Sequence, residues 1–292
     1  RRLPLLALVL AAACSDKPAP VADAGTAIEP ADTRLVTLAP HLAELVFAAD
    51  AGGLLVGVSA YSDYPPAVSD LPMVSDAFTV DLEQLALLRP GVVLAWESGT
   101  PVRVVDELRG RGYRVEVIRT RGLADIAPAL ERIGELAGSA EASAAAAREF
   151  SAALQSLRRE YAGRPPISVF YQVSSRPLYT VSDGHFIDDI LTLCGGRNVF
   201  SALHELAPAV SAEAVVARDP EVVLAGATGD DPFAEWQRWP SLRFNRYDNR
   251  FTLPADEMGR ATTRLVSGAK AVCAALDKGR QNREASRAAS PD

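Results

Sequence analysis

Two stretches of the chain repeat each other at an offset of 130 residues. The run Asp81-Leu-Glu-Gln-Leu-Ala-Leu-Leu-Arg-Pro-Gly-Val-Val-Leu-Ala-Trp96 aligns without a gap on Ser211-Ala-Glu-Ala-Val-Val-Ala-Arg-Asp-Pro-Glu-Val-Val-Leu-Ala-Gly226. Glu83 and Glu213, Pro90 and Pro220, and the runs ending at Ala95 and Ala225 recur in register. Each copy reads as a short helix opened by an Asp or Ser cap, a turn at proline, and a buried strand. A unit carried twice implies two similar lobes that present Glu83 and Glu213 at matching places. Paired carboxylates on two lobes suit a docking surface as well as they suit catalysis.

The rest of the chain alternates strand and helix signals. Strands are expected at Arg34–Leu38, Leu55–Ser59 and Tyr113–Ile118 in the first half, and at Ile167–Val173 and Phe251–Leu253 in the second. Amphipathic helices separate them, which implies parallel sheets covered by helices. Ser139 to about Tyr161 is rich in Ala, Glu, Arg and Leu, lacks Pro and Gly, and is closed by Gly163 and Pro165-Pro166. About 23 helical residues rise roughly 35 Å, enough to run from one lobe to the other. The expected fold is α/β: two Rossmann-like lobes with parallel central sheets, over 34–138 and 164–277, joined by one long rigid α-helix over 139–163. A final helix is expected over Thr262–Leu276. After Asp277 the chain is charged and rich in Ala and Ser, so 278–292 is expected to be disordered.

Arg1-Arg2 followed by the apolar run Leu5–Ala13 has the order of an export signal, and the run is too short to span a bilayer. Cys14 after Ala11-Ala12-Ala13 resembles a lipobox, in which this Cys is lipidated and begins the mature protein. Ala11 stands where that motif usually has Leu, and the competing reading is ordinary cleavage and soluble export. Residues 15–33, rich in Pro, Ala and Asp, read as a flexible tether. Cys194 and Cys273 are an even pair in an exported chain, so a disulfide is the economical reading and two free thiols the alternative. Neither has a second Cys or a His at metal-ligand spacing, and no metal site is expected. A net charge of −7 without a basic stripe argues against a nucleic-acid partner.

No enzyme signature is present: no Gly-x-Ser-x-Gly elbow, no Gly-x-Gly-x-x-Gly and no Walker loop. The informative positions are aromatic. Trp96 follows four apolar strand residues and emerges at the carboxyl edge of a sheet, where α/β lobes bind ligands. Tyr61 and Tyr64 lie in a loop stiffened by Pro65-Pro66 after another strand end. His41 follows the first strand within Ala39-Pro40-His41. Rings facing an interlobe cleft suit a large planar ligand; packing beneath a loop is the competing reading. His185 and His204 read as structural or exposed, and Trp236 and Trp239 as packing residues.

Arg34-Leu-Val-Thr-Leu-Ala-Pro40, Val58-Ser-Ala-Tyr-Ser-Asp-Tyr-Pro-Pro66, Leu94-Ala-Trp96 and Leu193-Cys-Gly-Gly196 with Asn198 resemble the periplasmic cobalamin-binding (BtuF) family of helical-backbone ABC-transporter solute-binding proteins. The resemblance covers about residues 34–277. It implies two lobes holding a corrinoid between them, with Glu83 and Glu213 docking into arginine pockets of a permease dimer. It implies ligand contacts from Tyr61, Trp96, Asp256 and Arg260, and places Cys194 and Cys273 on the family's disulfide. Two family tryptophans are replaced here, by Ala77 and Ala207; Phe78 is expected to refill part of the first gap.

The expected function is therefore a periplasmic, lipid-anchored, monomeric solute-binding protein without a cofactor or catalytic activity. It would capture a cobalamin-like corrinoid, with His41 a further candidate contact. A ferric-siderophore or haem carrier of the same fold is the near alternative. An exported α/β hydrolase using Asp or Ser with His41 is the alternative of a different class.

Overall fold

A computed structural model describes residues 33–227 and 231–289. The signal segment, Cys14 and nearly all of the tether lie outside the described residues. The first lobe contains β1 (Leu35–Thr37), α1 (Pro40–Ala48), β2 (Leu55–Ser59), β3 (Met73–Ser75), α2 (Leu82–Leu88), β4 (Val92–Trp96), α3 (Val102–Gly110), β5 (Val115–Ile118) and α4 (Ile126–Ala137). Its five strands are all parallel, in the order β3-β2-β1-β4-β5. Helix α5 (Ala140–Tyr161) then crosses to the second lobe.

There, β6 (Ile167–Gln172) leads into a small antiparallel hairpin, β7 (Ser174–Ser175) with β8 (Leu178–Tyr179). It is followed by α6 (Phe186–Leu193), β9 (Gly196–Asn198), α7 (Ala212–Arg218), β10 (Val222–Gly226), α8 (Arg243–Arg246), β11 (Arg250–Leu253), α9 (Ala255–Met258) and α10 (Leu265–Ala289). The sheet is parallel, in the order β11-β10-β6-β9. Matching β1, β2, β4 and β5 to β6, β9, β10 and β11 gives one strand order in both lobes. The sequence repeat falls on equivalent places in that order.

The two copies agree in local detail. The Asp81 carboxylate accepts from the Gln84 N–H at 2.9 Å, and the Ser211 hydroxyl accepts from the Ala214 N–H at 3.2 Å. Each therefore satisfies one of the free donors at its helix start. Both helices stop at a left-handed residue, Arg89 (φ 45°) and Asp219 (φ 43°). The strands that follow bury their first four residues and leave the fifth, Trp96 or Gly226, partly open. Such continuous apolar runs are what strands covered on both faces require.

One continuous core links the lobes. It passes from Leu35, Leu42 and Leu94 through Ile133 on α4 and Phe150 and Leu154 on α5, and on to Ile167, Ile190 and Val272. The Ser139 hydroxyl fixes the start of α5 by donating to the Ala49 carbonyl at 2.6 Å. Cys194 and Cys273 form a disulfide between the end of α6 and α10. No helix of the described residues is long and apolar enough to cross a membrane.

The tail differs from expectation. Helix α10 runs to Ala289, so residues 278–289 are helical, and only 290–292 lie outside the described residues. The reason is tertiary. Arg280 donates to the carbonyls of Pro165 and Cys194 at 2.8 Å each and pairs with Asp277 at 2.7 Å. Arg283 pairs with the buried Glu221 at 3.2 Å and donates to the Pro166 carbonyl at 3.1 Å. Charge that reads as solvated in sequence is spent here on closing the chain around Pro165-Pro166.

Candidate functional site

The carboxyl ends of both sheets face a common cleft, where open α/β sheets carry ligand-binding loops. The first lobe contributes His41 after β1, Tyr61 after β2 and Trp96 at the end of β4. From the second lobe come Tyr171 and Val173 at the end of β6, His185 and Phe186 at the start of α6, and Ala255 with Met258 to Ala261 after β11. The cavity between them measures about 470 Å³, within the range of ligand sites, and its walls are mainly apolar.

On the first-lobe wall, Tyr61 sits at φ 64° and exposes 84% of its surface. Trp96 packs its indole edge-on against the His41 ring at a centroid distance of 4.9 Å. The Trp96 Nε1 is buried without a partner among the described residues. His41 is buried, with Nε2 3.2 Å from the Thr120 hydroxyl. Burial, aided by the charge of Arg260, pushes His41 down to about 3, so it is neutral across ordinary pH.

A smaller cavity of about 140 Å³ adjoins this wall, sharing Pro40, Tyr61 and Trp96 with the cleft. Ala77 and Phe78 line it, and neither lines the cleft itself. Asp76 accepts from the N–H groups of Phe78 and Thr79 at 2.7 Å, and this turn leaves Phe78 70% exposed.

Arg260 crosses between the lobes. Its guanidinium donates to Glu44 at 2.8 Å, to Asp63 at 2.6 Å and to the Tyr61 carbonyl at 3.0 Å. Arg264 adds a weaker contact to Glu44 at 3.4 Å and stacks over the Tyr64 ring at 4.2 Å. The Arg260 hydrogen bond holds the Asp63 carboxyl below the usual carboxylate range. Arg260 thus lines the cleft while pinning the Tyr61 loop to the second lobe. A second seam joins the lobes where Phe186 N donates to the Arg121 carbonyl at 2.7 Å and Leu123 N to Asp189 at 2.8 Å.

Of the positions singled out in sequence, Tyr61, Trp96, His41 and Arg260 converge on the cleft. Asp256 does not line it. In the turn of α9, Ala255, Met258 and Gly259 face inward at helical spacing, which leaves Asp256 exposed. Ala207 is on the cleft wall, Trp236 is buried against Phe170 and Phe244, and His204 is exposed. Tyr171, Val173 and His185 were not expected there. The strand-end argument that located Trp96 applies equally to β6 and would have found the first two. His185 carries no such signal.

Glu83 and Glu213 are exposed and occupy the same position, the second residue of α2 and of α7. A carboxylate there is favoured by the helix N-terminus. Its own backbone N–H, then the Ser211 hydroxyl, hold the Glu213 carboxyl below the usual range. Among the described residues no cluster of His, Cys, Asp and Glu could hold a metal ion.

The sequence matches the family description "Periplasmic binding protein" over residues 35–257. It is 35% identical over 244 residues to a vitamin B12-binding protein of Vibrio cholerae, covering 83% of this chain and 88% of that one. The fold superposes on the crystal structure of the periplasmic vitamin B12-binding protein BtuF of Vibrio cholerae with a TM-score of 0.80 at 34% identity, covering 86% and 99% of the two chains. A periplasmic haem-binding protein of Pseudomonas aeruginosa matches with a TM-score of 0.71 at 26% identity, covering 83% and 92%.

Proposed function

The chain belongs to the periplasmic binding protein family, and from that premise we propose that it captures a cobalamin-like corrinoid in the interlobe cleft and delivers it to an ABC importer. The observation that carries this reading is the first-lobe wall. Tyr61 and Trp96 present two large rings beside an apolar cavity of about 470 Å³. A macrocycle laid against those rings gains from area removed from water and from ring stacking. Arg260 is the polar group assigned to the ligand's rim.

Delivery requires recognition from outside the cleft. Glu83 and Glu213 are the two feet of that surface, each set on a capped helix and free of intramolecular ion pairs among the described residues. Two carboxylates at equivalent places suit a permease dimer that offers one basic pocket per subunit. The protein works as a monomer in the periplasm, tethered through lipidated Cys14, and binds its ligand without covalent chemistry.

Titrating the mature protein with cyanocobalamin, dicyanocobinamide, haemin and a ferric siderophore, by calorimetry and visible absorbance, tests the reading. Saturable corrinoid binding below about 1 µM, some −8 kcal/mol, is expected. Haemin or siderophore binding with no corrinoid binding would replace corrinoid capture with the iron-ligand alternative.

A further inference from the structure

We propose that His185 is a ligand-contacting residue whose Nε2–H donates a hydrogen bond to an acceptor oxygen of the bound molecule, and so sets specificity on the second-lobe wall. This rests on the corrinoid reading above. Such a ligand offers the acceptor from two sources, an amide carbonyl on the macrocycle rim or a phosphate oxygen of the nucleotide arm.

The geometry of α6 fixes which nitrogen is free. His185 is the N-cap residue of that helix, and its Nδ1 accepts the Ile187 N–H at 3.1 Å. An acceptor nitrogen carries a lone pair, so in the neutral ring the proton resides on Nε2. Nε2 has no protein partner among the described residues, and it is not among the buried polar atoms left unsatisfied. With the residue lining the cleft, that leaves the donor open to the cavity. The ring is held in place as well as in tautomer, because it lies against Phe186 at a centroid distance of 4.3 Å. Ala207, on the same wall, is too small to cover it. Burial pushes His185 down to about 4, which keeps it neutral at periplasmic pH.

A neutral ring with a fixed N–H suits an oxygen acceptor and not a metal ion, since the lone pair that would ligate a metal is already used within the protein. The first-lobe wall then supplies flat apolar contact, while the second supplies a directed donor. Positioned donors of this kind discriminate between ligands more sharply than apolar area does.

Asn and Asp are near-identical in shape and both cap helices, but only Asn can donate into the cleft. His185→Asn should bind cyanocobalamin within about threefold of the native protein, and His185→Asp about tenfold or more weakly, with equal melting temperatures. The same loss with dicyanocobinamide assigns the acceptor to a macrocycle amide; loss confined to cyanocobalamin assigns it to the nucleotide phosphate. Equal affinities of the Asn and Asp variants for both corrinoids overturn the role of His185 and leave the corrinoid reading standing. Absence of corrinoid binding by the native protein overturns both. Imidazole 15N shifts of the native protein should show an Nε2–H tautomer.

Discussion

The two copies of the repeated unit are alike at one end and unlike at the other. At the helix starts, Asp81 and Ser211 make the same cap and Glu83 and Glu213 occupy the same exposed position. Where the strands end, one copy carries Trp96 and the other Gly226, both on the cleft. A side chain in place of Gly226 would meet Ala255, with its Cβ 3.2 Å from the one at that residue. The duplicated unit has thus kept its outward face symmetric and let its inward face diverge. On the function proposed above, a ligand without two-fold symmetry would call for different walls, and a permease of two like subunits for matched feet.

The largest expected effect lies on the divergent end. Trp96→Ala should weaken corrinoid binding by about 2–3 kcal/mol, roughly 30- to 150-fold, whereas Gly226→Ala should change it by less than about 1 kcal/mol. Calorimetric titration of both variants measures the asymmetry, and comparable losses would break the comparison. Next come the matched feet. Glu83→Ala and Glu213→Ala should each lower transporter-coupled uptake in proteoliposomes about tenfold while leaving ligand affinity unchanged. Unequal uptake losses would show that the outer faces have diverged too.

A smaller effect follows from the single neutral imidazole that each lobe gives to the cleft. His41 and His185 are lowered by burial to about 3 and about 4, against 6.5 in the unfolded chain. Between those values the unfolded state binds protons that the native state refuses, so stability is complete above pH 6.5 and falls as pH falls toward the native values. Each His should cost about 1 kcal/mol between pH 7 and 5.5. Urea unfolding of His41→Gln and His185→Asn at the two pH values checks this: each variant should lose about half of the pH dependence that the pair produces. The smallest effect belongs to the caps. Asp81→Ala and Ser211→Ala should each destabilise by about 0.5–1 kcal/mol, and by similar amounts.

What the sequence disclosed follows the same division. The repeat announced two lobes, and strand-end reasoning placed Trp96, Tyr61 and His41, because burial of four apolar residues forces the fifth to the sheet edge. Positions governed by contacts across the chain were not legible. His185 reaches the cleft because α6 begins where the second lobe meets Arg121. Arg260 was legible as a cleft residue, but its ties to Glu44 and Asp63 join positions some 200 residues apart. Asp256 was misplaced because α9 is too short to announce which of its faces turns inward. Residues 278–289 failed as a compositional reading because Arg280 and Arg283 find carbonyls and carboxylates that only the folded second lobe provides.

The unbroken core that runs from β1 through α5 to α10 has a thermodynamic consequence. Each lobe also has a smaller cluster of its own, around Val36, Leu85 and Val93 in the first and Phe170, Phe200 and Trp236 in the second. The largest core is shared, so neither lobe can open without exposing the other's side of it. The chain should therefore melt in one cooperative transition, with calorimetric and van't Hoff enthalpies equal. Amide protons in β1 and in β6 should exchange with the same free energy of opening, that of global unfolding.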